Sequence, residues 1–373
     1  MKKKLLFGKK SNLTLETEED QPDGETPFLQ SNFTRLEKDK LELLRDNIVL
    51  TKSGISMTGG SLTPMSEYSG TPGMRGSAVR SYNVSQEDVQ MKEVLGKGSA
   101  GTVYRANYKK TGAEVAVKVV NIFEKDKRKQ LVNDLKALTL LSVPDAQGIA
   151  TIPCPFLVNY FGGFFDEGSA KIVLEYMDRR SLRDAIKKGV RTSSEPVLAC
   201  LTVQLLNGLA YLHTVARQAH LDIKPENVLM NSKGFAKLSD FGIAKEFAES
   251  KQLLQTWVGT LVYMSPERVL SQVYDRSADL WSLGLTLLEV HIGKYPLPVG
   301  RSFVELYQFF MNSQTFKPEL PASSSANMHD FFGMMLEKDP KNRPTAVKLL
   351  GHPWILENFP KGQADYDAFI NAL

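Results

Sequence analysis

A stretch near the middle of the chain combines the side chains that phosphoryl transfer requires. Lys224 and Asn227 follow Asp222 in an H-x-D-x-K-x-x-N pattern, and Asp240 opens a D-F-G thirteen residues after Asn227. A carboxylate such as Asp222 can accept the proton of an attacking hydroxyl, while Lys224 can steady the transferring phosphate. Asn227 and Asp240 can hold Mg²⁺ against nucleotide phosphates. A single His near an Asp is common in loops, but this density of spacing predicts a phosphoryl-transfer site.

A glycine-rich run upstream of this stretch predicts a phosphate-binding hairpin. Gly96, Gly98 and Gly101 form a G-x-G-x-x-G pattern that is followed by Val103. In a dinucleotide-binding fold such a run joins a strand to a helix. Here alternating residues predict strands on both sides, over 89–95 and up to Tyr108, so backbone amides of a hairpin would close over phosphates. A third strand is predicted over 114–118.

The segments between the glycines and the catalytic stretch supply further elements. Apolar spacing over 124–141 predicts a helix, and the enlarged loop over 142–155 is assigned no chemistry. Strands are expected over 157–165 and 170–177. Next comes a strongly apolar helix over 196–213, in which Cys200 is most simply a core residue.

Composition excludes several classes of protein. The chain has 373 residues, of which 42% are hydrophobic, and 46 basic residues nearly balance 42 acidic ones, which argues against a nucleic-acid binder. Two cysteines cannot form a disulfide framework and indicate a reducing, cytoplasmic location. No apolar run approaches the roughly 20 residues of a membrane span, so no membrane-spanning helix is expected.

Residues 1–87 differ in composition from the remainder. Ser, Thr, Gly and Pro dominate 51–81, so most of this extension is expected to be disordered. Leucines within 36–50 leave two alternatives open, a short amphipathic helix or no structure. A basic pair and alternating leucines could form a solvated tail or an extended docking peptide, over residues 9–15, that consists of Lys9, Lys10, Leu13 and Leu15.

Together these motifs make residues 88–356 similar to a eukaryotic protein kinase domain. The resemblance implies an α+β bilobal fold, with a β-rich N-lobe and an α-helical C-lobe, and leaves 357–373 as a C-terminal tail without an interpretation. Thr260, K-P-E-N and Ser265-Pro-Glu267 are typical of the Ser/Thr type. The run from Val258 to Arg268, together with Gly293-Lys-Tyr-Pro296, resembles the MAP kinase kinases.

Membership of that family implies specific roles. Catalysis would rest on Asp222, Lys224, Asn227 and Thr260, and the metal on Asn227 and Asp240. ATP would be bound by Leu95, Gly96, Gly98, Gly101, Val103, Ala116, Lys118, Asp134, Glu175 and Met177. Activating phosphorylation would fall on Ser250 and Thr256, whose spacing is that of plant-type members. Arg343 would pair with Glu267.

The implied function is ATP- and Mg²⁺-dependent phosphorylation of both Thr and Tyr in the activation loop of a MAP kinase. The MAP kinase would bind the docking peptide, and an upstream MAP kinase kinase kinase would activate the chain. Three departures from the family stand out: Leu221 in place of Arg, Asp134 in place of Glu, and Arg179-Arg180 after the hinge. The alternatives are another Ser/Thr kinase of the same broad group and a pseudokinase scaffold.

Overall fold

The computed structural model describes residues 30–31, 34–37, 40–43, 48–57, 80–82, 84–98, 101–123, 131, 135, 141, 143–144, 150–152, 154–192, 194–240, 261–298, 302–312 and 320–373. The side chains of 30–37, 41–48, 56–57, 80–82, 143–144 and 150–151 are outside this description. The structural statements below concern the described residues.

The N-lobe is built on a five-stranded antiparallel sheet. Its strands are β7 (Val89–Gly98), β8 (Gly101–Tyr108), β9 (Ala113–Asn121), β12 (Tyr160–Asp166) and β13 (Ser169–Glu175), in the order β12-β13-β9-β8-β7. These strands lie where the sequence predicted them. Val115, Val117 and Val120 on β9 are buried, as expected for β-branched residues on a central strand.

A second sheet is formed by the N-terminal extension. Six short strands pair in sequence order: β1 (Gln30–Ser31), β2 (Thr34–Glu37), β3 (Lys40–Leu43), β4 (Ile48–Thr51), β5 (Gly54–Met57) and β6 (Arg80–Tyr82). The helix considered over 36–50 is therefore wrong. The period-two placing of Leu41 and Leu43, opposite Leu50 and Ile48, is the signal that decides for strands.

This N-terminal sheet packs on the N-lobe mainly through β4 and β5. Leu50 and Ile55 are buried in one core with Leu131 and Leu135, which are helical residues of the predicted 124–141 segment. A Cβ atom at Gly163 on β12 would lie 3.1 Å from Ile55 Cδ1, so the sheets approach closely at a glycine. The extension thus contributes to the core of the N-lobe.

The C-lobe is helical. A short sheet of β14 (Arg180–Ser181), β15 (Val228–Met230) and β16 (Ala236–Leu238) carries the predicted catalytic stretch. Two further short strands, β10 (Val143–Pro144) and β11 (Ala150–Thr151), pair with each other. The helices are α1 (Leu182–Lys187), α2 (Glu195–Ala210), α3 (Pro266–Val269), α4 (Ser277–Ile292), α5 (Phe303–Asn312), α6 (Ala326–Met335), α7 (Ala346–Leu350), α8 (Pro353–Asn358) and α9 (Gln363–Asn371).

Helix α2 is strongly apolar, and most of its residues are buried. With the π-helical turn Tyr211–Val215 that follows, it is long and apolar enough to cross a membrane, a test that a buried core helix also passes. Two thirds of its most apolar window is buried inside the protein. Cys200 lies at its centre and is 1% exposed, which confirms the core role. Burial among its neighbours is the ordinary explanation for such a helix.

The C-terminal tail, which the sequence left without an interpretation, folds onto this core. Tyr366, Phe369 and Ile370 on α9 are buried against the C-lobe. Gly362 precedes the helix, and a Cβ atom there would lie 2.3 Å from the Pro196 carbonyl oxygen. The last residue, Leu373, accepts a hydrogen bond from Lys188 Nζ. The tail is therefore an integral layer of the C-lobe.

Candidate active site

The catalytic stretch forms a compact cluster around Asp222. Lys224 Nζ lies 2.9 Å from Asp222 Oδ2, and Asn227 Nδ2 donates to the same oxygen at 3.0 Å and to the Asp222 carbonyl at 2.8 Å. The 3₁₀ turn Pro225–Asn227 brings these side chains back toward the carboxylate. Three of the four predicted catalytic residues therefore lie in contact. Lys224 and Asn227 both donate to Asp222, so they fix the orientation of its carboxylate, which acts as an acceptor.

Asp279, at the start of α4, holds the backbone of this loop. Its carboxylate accepts from the N–H of His220 at 2.8 Å, from the N–H of Leu221 at 2.7 Å and from His213 Nε2 at 2.8 Å. Burial would raise the pKa of Asp279, but these donors reverse the effect and the pKa lies below its usual range. Leu221 has φ +62°, a left-handed conformation that costs a leucine about 1–2 kcal/mol. The buried carboxylate therefore stabilises a strained loop.

Arg268, on helix α3, also contacts the backbone of the catalytic loop. Arg268 Nη1 donates to the carbonyl of Leu221 at 2.8 Å, and its guanidinium lies over the Tyr274 ring. Burial lowers the pKa of Arg268. In place of the usual Arg at position 221, the loop therefore has an Arg from another element beside its backbone.

Lys118 and Asp240 join the two lobes. Lys118 Nζ on β9 lies 2.8 Å from Asp240 Oδ1, and its side chain is buried. Burial would raise the pKa of Asp240, but the adjacent ammonium of Lys118 reverses this and the pKa lies below its usual range. Asp240 has φ +57°, so this carboxylate is also held by an unusual backbone conformation. The two residues predicted for phosphate and metal are thus in direct contact.

The glycine-rich hairpin faces the same cleft from above. Gly98 pairs with Gly101 across the turn, and Val103 pairs with Lys118 on the neighbouring strand. Gly101 has φ +144°, and a Cβ atom there would lie 2.3 Å from the Val119 carbonyl oxygen. Only glycine fits this position. The hairpin expected from the sequence is confirmed, with Leu95 and Gly96 on its first strand.

The hinge runs from the end of β13 into β14. The N–H of Glu175 donates to the Asn159 carbonyl at 2.9 Å, and the Met177 carbonyl accepts from the N–H of Arg180 at 3.0 Å. The Glu175 side chain is bound by Lys237, with Nζ–Oε distances of 2.8 and 2.7 Å. Adenine binding by backbone groups of Glu175 and Met177 stays a prediction. Ala116 on β9 is buried, and its predicted role in ATP binding stays a prediction.

The predicted pair between Arg343 and Glu267 is confirmed. Nη1–Oε1 and Nη2–Oε2 are both 2.7 Å, and both side chains are almost fully buried. This bidentate geometry fixes the end of the activation segment against the C-lobe. The sequence motif was sufficient to find it because each residue belongs to a recognisable short pattern.

Several predicted residues lie outside the described part of the chain. They are Asp134, Thr260, Ser250, Thr256, and the docking residues Lys9, Lys10, Leu13 and Leu15. Their roles stay predictions. Conversely, the roles of Asp279, Arg268 and Arg183 were not recognised from the sequence. An Asp at the start of an apolar helix and an Arg in the S-P-E-R run were visible signals, whereas Arg183 had none.

The residues present fit a nucleotide with a magnesium ion. The N–H of Ser239 donates to the Asn227 carbonyl at 2.9 Å, which places Asp240 next to Asn227. Because the amide nitrogen of Asn227 faces Asp222, its amide oxygen is oriented as an acceptor. A carboxylate and an amide oxygen are hard ligands of the kind that Mg²⁺ prefers, and phosphates and water complete its shell. Asn227 and Asp240 would hold the ion, and Lys118 would contact the phosphates.

Comparisons with known proteins agree with this geometry. The sequence model of the protein kinase domain matches residues 89–355. Mitogen-activated protein kinase kinase 3 of Arabidopsis thaliana is 36% identical over 300 residues, which are 80% of this chain and 55% of the relative. Mitogen-activated protein kinase kinase 1c of Physcomitrium patens is 36% identical over 318 residues, which are 82% of this chain and 89% of the relative.

A third relative is the dual specificity mitogen-activated protein kinase kinase 1 of Dictyostelium discoideum, 40% identical over 211 residues, which are 56% of this chain and 30% of that protein. The chain therefore spans about half of the Arabidopsis relative, less of the Dictyostelium protein, and most of the moss relative. The two-lobed fold, the cluster around Asp222 and the extent of these matches lead to one conclusion: the chain belongs to the protein kinase family, and within it to the MAP kinase kinases.

Proposed function

We propose that this chain is an ATP-dependent dual-specificity kinase that phosphorylates both Thr and Tyr in the activation loop of a MAP kinase. The observation that carries the proposal is the cluster in which Lys224 and Asn227 bind Asp222 while Lys118 contacts Asp240. This arrangement supplies a base, a phosphate ligand and a metal site within one cleft. The family to which the chain belongs supports the choice of a MAP kinase as substrate.

The chemistry follows from the residues around the cleft. Asp222 accepts the proton of the attacking hydroxyl, and Lys224, 2.9 Å from it, steadies the transferring phosphoryl group. Lys118 orients the phosphates against the lid formed by β7 and β8. Bound Mg²⁺ supplies charge neutralisation on the phosphates. Asp279 keeps Asp222 in position by holding the preceding backbone.

Partner binding and location complete the proposal. The docking peptide of residues 9–15 has basic and apolar side chains suited to an acidic and apolar groove on the MAP kinase. An upstream MAP kinase kinase kinase would phosphorylate Ser250 and Thr256. Cys154 and Cys200 are free and buried, which suits a reducing compartment, and we place the protein in the cytoplasm.

The test is incubation with Mg²⁺-ATP and a MAP kinase that carries an inactivating substitution, followed by mapping of the phosphorylated residues. We expect phosphate on both Thr and Tyr of the activation loop. Phosphate on Ser or Thr alone would indicate a different kinase of the same broad group, and its complete absence would indicate a pseudokinase scaffold.

The matched control is Asp222→Ala. It should abolish phosphotransfer and leave nucleotide affinity nearly unchanged, because Asp222 acts on the attacking hydroxyl and not on ATP. An equal loss of ATP affinity would contradict the role assigned to Asp222.

Deleting residues 1–15 should weaken phosphorylation of the intact MAP kinase and spare autophosphorylation.

A further inference from the structure

Arg183 is the centre of a polar network on the floor of the cleft. Its Nε donates to Glu226 Oε1 at 2.8 Å, and its Nη1 donates to Glu289 Oε1 at 2.8 Å. Its Nη2 donates to the Tyr263 hydroxyl, which in turn donates to Glu289. One guanidinium therefore binds two carboxylates and a phenol from three separate parts of the chain.

These partners surround the place where a protein substrate must lie. Glu226 stands between Lys224 and Asn227, both of which contact Asp222. Tyr263 belongs to the 3₁₀ turn Leu261–Tyr263 that leads into the S-P-E segment. A substrate chain rises at most about 3.6 Å per residue, so residues only two or three positions from the acceptor hydroxyl are within reach of Glu226.

The burial of the network indicates an acidic site that is already filled. The Glu289 side chain is 1% exposed and that of Arg183 is 13% exposed, whereas that of Glu226 is 45% exposed. Burial opposes the charged form of Arg183, but the carboxylates of Glu289 and Glu226 and the Tyr263 phenol outweigh it and raise the pKa of the guanidinium. Without Arg183, two carboxylates would face the cleft with a hydroxyl beside them.

The position of Arg183 on its helix supports a role beyond local stability. It is the second residue of α1, whose start is fixed by a capping box between Ser181 and Asp184. A cation in the first turn of a helix is disfavoured by the helix dipole. The capping box fixes the backbone that carries Arg183, and the side chain offsets this disfavoured position by binding Glu226 and Glu289.

We propose that Arg183 is a specificity-determining residue, which fills the acidic site of Glu226 and Glu289 from within the chain and so excludes basic side chains of a protein substrate beside its phosphorylation site. The proposal rests on the kinase function proposed above. Its test measures binding and not turnover, so it can fail while that function stands.

The probe is a fluorescein-labelled peptide with three arginines before a single serine, and its partner has glutamines in place of the arginines. Binding to the full chain is measured by fluorescence anisotropy. We expect Arg183→Ala to bind the arginine peptide roughly tenfold more tightly than the wild type, because each charge-assisted hydrogen bond contributes on that scale. Affinity for the glutamine peptide should stay the same, and adding Glu226→Gln should return the arginine peptide to its wild-type affinity.

Lys187→Ala is the matched control, since it removes the same charge from an exposed position one turn along α1. Equal binding of the arginine peptide by Arg183→Ala and Lys187→Ala would overturn the proposal, because only net charge would then matter. Thermal melting checks that Arg183→Ala folds when Glu289 has lost its hydrogen bond to Arg183.

A second variant does not depend on that outcome. Glu226→Gln in the wild-type background should change affinity for the arginine peptide by less than about twofold, since Arg183 already occupies the carboxylate. Weaker binding by Glu226→Gln alone would show that Glu226 is open to substrates in the wild type, and it would equally overturn the proposal.

Discussion

Replacing Asp279 by Asn tests whether the Asp279 carboxylate fixes the backbone of the catalytic loop at His220 and Leu221. The substitution keeps the shape of the side chain and exchanges one carboxylate oxygen for an NH₂ group. Because Oδ2 accepts from His220 and Oδ1 accepts from Leu221, one of these two backbone N–H groups must then face the amide nitrogen. The loop would lose one bond and keep the other in a weaker, neutral form.

The expected cost follows from these contacts. An unsatisfied buried N–H costs about 1–3 kcal/mol, and a charge-assisted hydrogen bond exceeds a neutral one by about 1 kcal/mol. Asp279→Asn should therefore lower the free energy of unfolding by about 2–4 kcal/mol. In addition, the strained Leu221 would be free to relax, which moves Asp222. We expect kcat for phosphotransfer to fall at least tenfold, with ATP affinity changed less than about threefold.

Urea unfolding of the two proteins measures the first quantity, and steady-state kinetics with ATP titration measures the second. Asp275→Asn is the matched control, because Asp275 is exposed and its contact with the Ser277 N–H can be kept by an amide oxygen. The control should lie within about 0.5 kcal/mol of the wild type. A loss of less than 1 kcal/mol for Asp279→Asn, with kcat unchanged, would show that the loop holds its own conformation.

Three further outcomes are expected. Gly101→Ala should weaken ATP binding and lower the melting temperature, since its Cβ would lie 2.3 Å from the Val119 carbonyl oxygen; unchanged ATP affinity would contradict the fit described for the hairpin. Arg343→Lys should lower the free energy of unfolding by about 3 kcal/mol or more, because a lysine cannot make both bonds to the buried Glu267, and an exposed Arg→Lys variant should show no such loss in the same urea titration. Burial lowers the pKa of His220, so near pH 6 the unfolded chain binds a proton that the folded chain does not. Stability should therefore fall as pH drops through about 6.5, and His220→Asn should flatten this dependence in urea titrations from pH 7.5 to 5.5. An unchanged slope would show that other groups cause the dependence.

The catalytic residues could be predicted from the sequence because their chemistry fixes both residue type and spacing. Asp222, Lys224 and Asn227 lie within six residues of chain, so a motif describes them fully. Lys118 was found because it closes a short V-A-V-K run at a fixed distance from the glycine-rich hairpin. The same local logic found Arg343 and Glu267, each of which sits in its own short pattern.

Contacts between distant segments could not be found in this way. Arg183 meets Glu289 across 106 positions of the chain, and nothing in its own neighbourhood indicates this. The strands of the N-terminal extension were missed because leucines at 36, 41, 43 and 44 fit a helix loosely, while the pairing of Leu41 with Leu50 depends on the fold. Helix α9 was missed because its apolar face has meaning only against the C-lobe core.

The packing of the N-terminal sheet onto the N-lobe sets a length scale for partner binding. Gln30 begins the first strand of that sheet, and Leu15 ends the proposed docking peptide fifteen positions earlier. Covalent geometry limits that connection to about 50 Å even when fully extended. A partner that binds Leu15 must therefore contact it within this distance of Gln30. Its activation loop must reach the cleft from that position. Under the proposed docking, the number of residues between the peptide and β1 limits how far a bound partner can lie from the N-lobe. Inserting or deleting residues there would change which partners can reach Asp222.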